Sequence, residues 1–557
     1  MSDSSTKQGR LSGIVIRFLA AIAFVLAVSS FAAGAGTLQA QAATTSEVTI
    51  SSAQISGSNV VLGITAASVP ASDDGVYYIY ADEVYQDGAA GTLVATVPAS
   101  TSATASFALN FNTADSNLSR KFVVCVLQGG VMTQVSDEHY ITNPEAVATV
   151  SSAQFDTGIK GLFVDPTRIT TSDLVDLGVD QVCYNIYIGD IVGETTNAAW
   201  PTTYFTYDGV TYAFDSYMLA CYDNLFIVYT SLGLDITVNI INNYAADATD
   251  LIHPLALDGT SSSCYAFNTT DAAGVKHLEA IAYFLGQRYN GTQGYGKVDN
   301  WVIGNEINAR SEQFYMSNTD LDYNVSCYHE AFRIFYNGLK AANGGVNVYT
   351  SFDQQWNRLS NSGSYYVPEY LTLFNNYILL GGNIDYGVSI HPYDAPLYDP
   401  YAWLGQSIYV TNDVSTPYLT MQNIFVFIDY MNQTAFLSPS GDTRSILISE
   451  LGYTSYFGDD LQCASIAYAY LQAAYYDEID GFLMYREVDS AYEITNSKIA
   501  QGLIDVNGNV KAAYAYYKYI DTDQAQTYKD MASAIMGYDI DSLIGLRSFP
   551  TRSWTGY

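Results

Sequence analysis

Two short apolar runs in this sequence end in glutamate. Trp301-Val302-Ile303-Gly304-Asn305-Glu306 is the first, and Ser445-Ile446-Leu447-Ile448-Ser449-Glu450 the second. Runs of four to eight apolar residues bounded by Gly or Ser are the pattern of buried strands. Each strand therefore delivers a carboxyl group at its C-terminal end. Two carboxyls converging on one opening can divide the work of proton donor and nucleophile, provided their surroundings hold one protonated and the other ionised. Other chemistry-bearing residues sit at the ends of similar runs. Asn305 precedes Glu306, His391-Pro392-Tyr393 follows Ile384–Ile390, and Tyr485 ends the run Asp480–Tyr485, with Arg486 next. Trp356, in the loop after Val346–Ser351, offers an aromatic face.

Elements that could position these side chains begin near residue 155, where strand-like runs alternate with amphipathic ones. Strands are expected at 159–164, 180–187, 234–241, 298–304, 346–351, 384–390, 445–449 and 480–485. Helices are expected at 171–178, 214–232, 272–289, 321–341, 367–380, 417–431, 459–476 and about 510–520. Eight strand–helix pairs are the count for a closed parallel (β/α)8 TIM barrel. An open doubly wound sheet would need a Gly-rich nucleotide loop after its first strand, where this chain reads Asp165-Pro166-Thr167-Arg168. The long connections, 188–213, 242–271 and 391–416, all run from a strand to its helix. That is the face on which such barrels build their sites. Glu306 would end strand four and Glu450 strand seven, across the mouth from each other. Cleaving a glycoside with retention requires two carboxyls about 5–5.5 Å apart, one acid and one nucleophile, and this placement makes that separation reachable.

Residues 44–146 read as a small all-β sandwich, with short strand-like runs punctuated by Gly, Asn, Asp and Ser. A spacer is the preferred reading of this unit over a carbohydrate-binding module. The barrel unit spans 147–557, and residues 1–43 have the basic start, apolar run (Phe18–Val28) and Ala40-Gln41-Ala42 site of a secretory signal. Secretion to the extracellular space is expected, with no stable membrane insertion once the signal is cleaved. The net charge of −34 on 557 residues leaves little to neutralise a phosphate backbone, so nucleic acid is not an expected partner. The six cysteines are scattered, with no Cys-x-x-Cys, and no disulfide is inferred; Cys183 and Cys221 read as core residues. With five histidines, none in a His-x-His on the first strand, neither a metal nor another cofactor is expected. Asp505-Val506-Asn507-Gly508 lacks the later glutamate of a calcium loop and reads as a turn.

With these residues in view, the chain over roughly 155–525 resembles the clan of retaining glycoside hydrolases built on eightfold barrels (clan A), which includes cellulase-type and β-xylosidase families. The resemblance rests on Asn305-Glu306, Glu450, His391-Pro392-Tyr393 and the stretch Gly502-Leu503-Ile504-Asp505 to Tyr514. It implies Glu306 as acid/base, Glu450 as nucleophile, Asn305 bound to the 2-hydroxyl, and Tyr393 bonded to Glu450. A carbohydrate substrate follows, with His391, Trp356, Tyr485 and Arg486 as further substrate-binding candidates. Many clan members end strand eight with Trp, where this chain has Met484-Tyr485-Arg486-Glu487. The alternatives to a hydrolase are a non-catalytic carbohydrate-binding or adhesive barrel protein, and a transglycosylase using the same intermediate.

Overall fold

The computed structural model describes residues 46–152, 158–359 and 361–553. The expected leader therefore lies outside the described residues. The N-terminal part contains a three-stranded antiparallel sheet (Val48–Ser56, Asn59–Ala66, Ser102–Ala108) and a five-stranded one built around Val76–Asp82 and Lys121–Gln128. Val48–Ser56 alternates buried and exposed residues, the mark of a strand with one face in a core. Val60, Leu62 and Ile64 of one sheet share that core with Ile79, Phe122 and Val124 of the other.

Eight parallel strands then close into a barrel: β1 Lys160–Phe163, β2 Gln181–Tyr187, β3 Asp235–Ile241, β4 Asn300–Ile303, β5 Asn347–Phe352, β6 Gly387–Ile390, β7 Ile446–Leu451 and β8 Ile479–Met484. The main helix following each strand is α1 Asp173–Leu177, α2 Ser216–Ser231, α3 Ala272–Arg288, α4 Leu321–Ala342, α5 Val367–Leu380, α6 Ile424–Met431, α7 Asp459–Ala474 and α8 Ala512–Tyr519, with short helices at Ile188–Ile191 and Ala491–Ser497 in the loops after β2 and β8. All seven residues of β3 are buried, as expected of a strand covered on both faces. Residues of one parity along the strands, such as Ile236, Val238, Ile240, Trp301, Ile303, Val348 and Phe482, pack outward with the helices. The opposite parity fills the barrel: Phe163, Cys183, Val302, Tyr349, Leu447 and Leu483 form one interior cluster.

Two residues further along several of these strands the interior turns polar. Asn239 Nδ2 donates to Asn185 Oδ1 at 2.9 Å, and the hydroxyls of Ser389 and Ser449 meet. Successive same-face residues along a strand are two apart, so this polar layer sits immediately below the strand ends that carry the two glutamates. The N-terminal sheets seat on the helical flank: Ala280 and Tyr283 of α3 and Ala341 and Ala342 of α4 belong to the sheets' own core. Asn337 Nδ2 of α4 donates to Leu118 O at 3.0 Å.

Differences from the sequence expectations are local. The segment 188–213 contains a hairpin, Thr203–Tyr207 and Val210–Phe214, turning on Asp208-Gly209. Both residues have positive φ (49° and 81°), the conformation that favours this dipeptide in two-residue hairpins. Phe214 therefore ends a strand, and α2 begins after Asp215, whose carboxylate accepts from the N–H groups of Tyr217 and Met218. The helix expected from Pro417 starts later, as a 3-10 turn at Met421–Asn423 running into α6. A further C-terminal helix, Ala525–Met536, packs on α7. Cys221 is exposed on α2 rather than in the core, and all six cysteines are unbridged. Asp505 Oδ1 accepts from the N–H groups of Asn507 and Asn509, which makes 505–509 a turn. No helix among the described residues is long and apolar enough to cross a membrane.

Candidate active site

Strand β4 stops at Ile303 because Gly304 takes a left-handed φ of 79°, and a Cβ there would press on Ile307. Glu306 also has positive φ, at 42°, an uncommon conformation for a residue with a side chain. Its N–H donates to Ser351 Oγ at 3.2 Å, and its carbonyl accepts from Ala309 N at 2.7 Å. The turn is thereby fixed on both sides, and the Glu306 side chain is 19% exposed.

Glu450 comes from β7, whose pairing with β8 is irregular between Ile448 and Leu451. Gly452 follows, and a Cβ there would collide with the carbonyl oxygen of Tyr485, so the two strand ends approach as closely as they do only with glycine. The segment after β6 meets both glutamates. His391 Nδ1 lies 2.9 Å from Glu306 Oε1, and Tyr393 Oη donates to Glu450 Oε1 at 2.9 Å. On its other side, His391 Nε2 lies 2.9 Å from Ser449 Oγ, which in turn meets Ser389 Oγ. A single hydrogen-bonded line therefore runs from Glu306 through His391 to the residue preceding Glu450.

The electrostatics follow from burial. Glu306 is pushed up to about 7, chiefly by desolvation and secondarily by the charge of Glu312. Glu450 is also raised by burial and by Glu306, while His391 and the Tyr393 hydroxyl act in the opposite direction. Burial lowers His391, so the ring is neutral and offers one donor and one acceptor nitrogen. Asp353, at the end of β5, is raised to about 7 by burial and by Glu306. It is held by Asn308 Nδ2 and Gln355 Nε2, each 2.6 Å away.

Of the other residues singled out from sequence, Asn305 is half-buried beside Glu306, and among the described residues its amide is not engaged. Tyr485 is half-buried, edge-on to Phe163 at 5.1 Å, and its hydroxyl donates to Glu493 Oε1 at 3.3 Å. The charge of Glu450 acts on that hydroxyl. Arg486 bonds the same carboxylate at 3.3 Å and lies over the Tyr485 ring. Trp356 does not face the opening. It is fully buried, edge-on to Phe427 and Tyr430, with its indole N–H donating to Val414 O at 2.9 Å. Its role is packing beneath the β5 and β6 loops, because both its faces and its polar edge are already occupied. Ser449, Ser389, Glu312 and Glu493 were not singled out from sequence. Ser389 and His391 share a strand face two residues apart, and Ser449 adjoins Glu450, so the serine pair was legible in the spacing. Glu312 and Glu493 lie in a turn and a short helix that the pattern does not reveal. Among the described residues no group of three or more His, Cys, Asp and Glu is placed to hold a metal ion.

The family model described as "Family of unknown function (DUF5722)" matches residues 152–543, the barrel and its C-terminal extension. The chain belongs to this family. No curated protein matches it. Among solved structures, this DUF5722 chain is similar to a family 39 glycoside hydrolase from the gut symbiont Bacteroides cellulosilyticus WH2, at 14% identity and a TM-score of 0.45, over 83% of this chain and 80% of that one. It is similar to a β-glucosidase from Pyrococcus furiosus at 13% identity and 0.43, over 68% and 88%. A Bacteroides uniformis β-glucuronidase matches at 13% identity and 0.38, over 85% of this chain and 49% of that enzyme, so the chain spans about half its length. The case for an activity rests on the side chains at the barrel mouth.

Proposed function

We propose that this protein is a retaining glycoside hydrolase in which Glu306 is the acid/base and Glu450 the nucleophile. The observation that carries the reading is the three-residue segment His391-Pro392-Tyr393, which bonds one glutamate at each of its ends. A carboxyl near 7 in its resting state is a competent proton donor at neutral pH. A carboxylate that accepts a tyrosine hydroxyl is oriented, and that bond favours its charged form against the burial that raises it.

In the first step Glu450 attacks the anomeric carbon, and the bond to the leaving oxygen breaks as Glu306 donates its proton to that oxygen. In the second, water attacks the anomeric carbon of the glycosyl–Glu450 ester, Glu306 takes the water's proton, and the bond to the Glu450 carboxylate breaks. Two inversions give net retention. The neutral His391 follows Glu306 through this cycle. Protonated Glu306 donates to Nδ1, leaving Nε2–H to donate to Ser449 Oγ. Ionised Glu306 accepts from Nδ1–H, and Nε2 then accepts from the Ser449 hydroxyl. Asn305, unengaged beside Glu306, donates to the 2-hydroxyl, a bond that strengthens as charge develops at the anomeric carbon. Tyr485 takes the place of the aromatic floor under the reacting sugar.

The same reading makes residues 1–43 a cleaved export signal, 44–146 a supporting β unit and 147–557 the catalytic unit of an extracellular enzyme acting on oligo- or polysaccharide. The test is Glu450→Ala assayed on a panel of aryl glycosides and polysaccharides. A hydrolase loses turnover and keeps ligand binding. A binding-only barrel protein shows no turnover in the wild type and little change in binding in the variant, and that result would reject the proposal.

A further inference from the structure

A cleft of about 400 Å³ opens in the long β3–α3 connection, lined by Tyr244, Leu257, Gly259, Thr260, Ser261 and Tyr265. Its walls are aromatic and neutral. The Tyr244 and Tyr265 rings lie 6.4 Å apart, tilted by 54°, and Tyr244 is 56% exposed. The loop is held open by its own bonds. Asp258 accepts from Thr260 N and from Tyr315 Oη, both at 2.8 Å, and Ser262 N donates to Tyr265 Oη at 2.9 Å. Tyr265, buried and with its hydroxyl engaged, backs the cleft, so the ring on offer is that of Tyr244, while Thr260 and Ser261 supply polar groups at the rim. Aromatic faces beside a few neutral hydrogen-bonding groups suit the apolar faces and hydroxyls of an uncharged sugar.

The loop that forms the cleft is tied to the turn that follows Glu306. The turn that begins at Glu306 continues through Ala309, whose carbonyl accepts from Gln313 N at 2.9 Å. Gln313 Oε1 then accepts from the Cys264 thiol at 3.4 Å, and Glu312 O accepts from Ser262 Oγ at 3.2 Å. Cys264 and Ser262 both flank the cleft's Tyr265. The field agrees with this placement. The charge of Glu306 acts on Cys264, whereas the charge of Glu450 acts on Cys183 in the barrel interior. In the double displacement the leaving oxygen is the one that Glu306 protonates, so the departing part of the substrate extends from the Glu306 side. We infer that the Tyr244–Tyr265 cleft is a leaving-group subsite for a neutral sugar unit, which makes the enzyme's substrate an oligo- or polysaccharide chain rather than a glycoside of a small alcohol. This rests on the glycosidase reading above.

The experiment compares two donors of the glycone that the aryl glycoside panel identifies: its glycosyl fluoride, whose leaving group is too small to reach the cleft, and its oligosaccharide. In Tyr244→Ala the ratio of kcat/KM for oligosaccharide to that for fluoride falls by about three- to tenfold, the loss of one stacking ring. In Tyr244→Phe, which keeps the ring, the ratio stays within about twofold of wild type. A ratio unchanged in Tyr244→Ala, or lost equally in Tyr244→Phe, overturns the subsite while leaving the catalytic reading intact. A wild-type protein that turns over no member of the aryl glycoside panel removes the glycosidase reading and the subsite with it.

Discussion

Removing one oxygen atom from Tyr393 gives a sharp test of how Glu450 is held. In Tyr393→Phe the ring stays packed where it is, and Glu450 loses the hydroxyl that donates to its Oε1 at 2.9 Å. A hydrogen bond to a buried charge contributes about 1.5–3 kcal/mol. If all of it is lost from the ionised nucleophile, the rate falls by roughly 10- to 150-fold wherever Glu450 must first be deprotonated. The sign follows from which form the bond favours. The hydroxyl stabilises the carboxylate and lowers the group's affinity for a proton, opposing the burial that raises it. Without it Glu450 holds its proton to higher pH, so the acidic limb of kcat/KM moves upward and the loss is largest on the acid side of the optimum. The alkaline limb, which belongs to Glu306 near 7, stays where it is, because the neighbours that raise Glu306 are burial and Glu312. The assay is kcat/KM for an aryl glycoside across pH 4 to 9, with the variant's fold checked by circular dichroism. An acidic limb that does not move, or an alkaline limb that moves in its place, would refute this assignment of the two carboxyls.

Two further predictions concern the frame. Trp356→Ala removes a fully buried indole packed on Phe427 and Tyr430, and costs about 3–5 kcal/mol of stability by chemical denaturation; KM of the folded fraction stays at the wild-type value, and a KM that rises several-fold would return Trp356 to the substrate. Burial raises Glu330 to about 8 and Asp208, Glu487, Asp353 and Glu306 to about 7. Carboxyls that bind protons more tightly folded than unfolded stabilise the fold below their unfolded pKa, and that contribution is lost as pH rises through the folded value, by about 1.4 kcal/mol per pH unit for each fully linked proton. The thermal midpoint therefore rises as pH falls from 8.5 to 7, a range in which the lowered histidines, His139 and His253 at about 4, stay neutral in the folded state. A midpoint that falls over that range contradicts the burial of these groups.

The barrel was legible because its strands are short apolar runs separated by helices of ordinary length, and the register of β2 with β3 and of β4 with β5 follows those runs. Glu306, Glu450, His391 and Tyr393 were legible for the same reason: each terminates a run whose direction is set by the barrel. Trp356 was misjudged because sequence places it in a loop on the correct face without saying which way it turns, and its indole N–H found a backbone carbonyl inward. The Asp208-Gly209 hairpin carried a local signal that the neighbouring apolar stretch into α2 obscured. Glu312 and Glu493 act on the two carboxyls through space from segments with no periodicity, so only coordinates reveal them.

The most direct test is the stereochemistry of the first product. Proton NMR of the reaction mixture, recorded before mutarotation, resolves the anomeric proton of the newly released sugar. Two successive displacements through Glu450 predict that it initially carries the configuration of the substrate. A first-formed product of opposite configuration would mean that water attacks directly, and the assignment of Glu450 as nucleophile would be wrong.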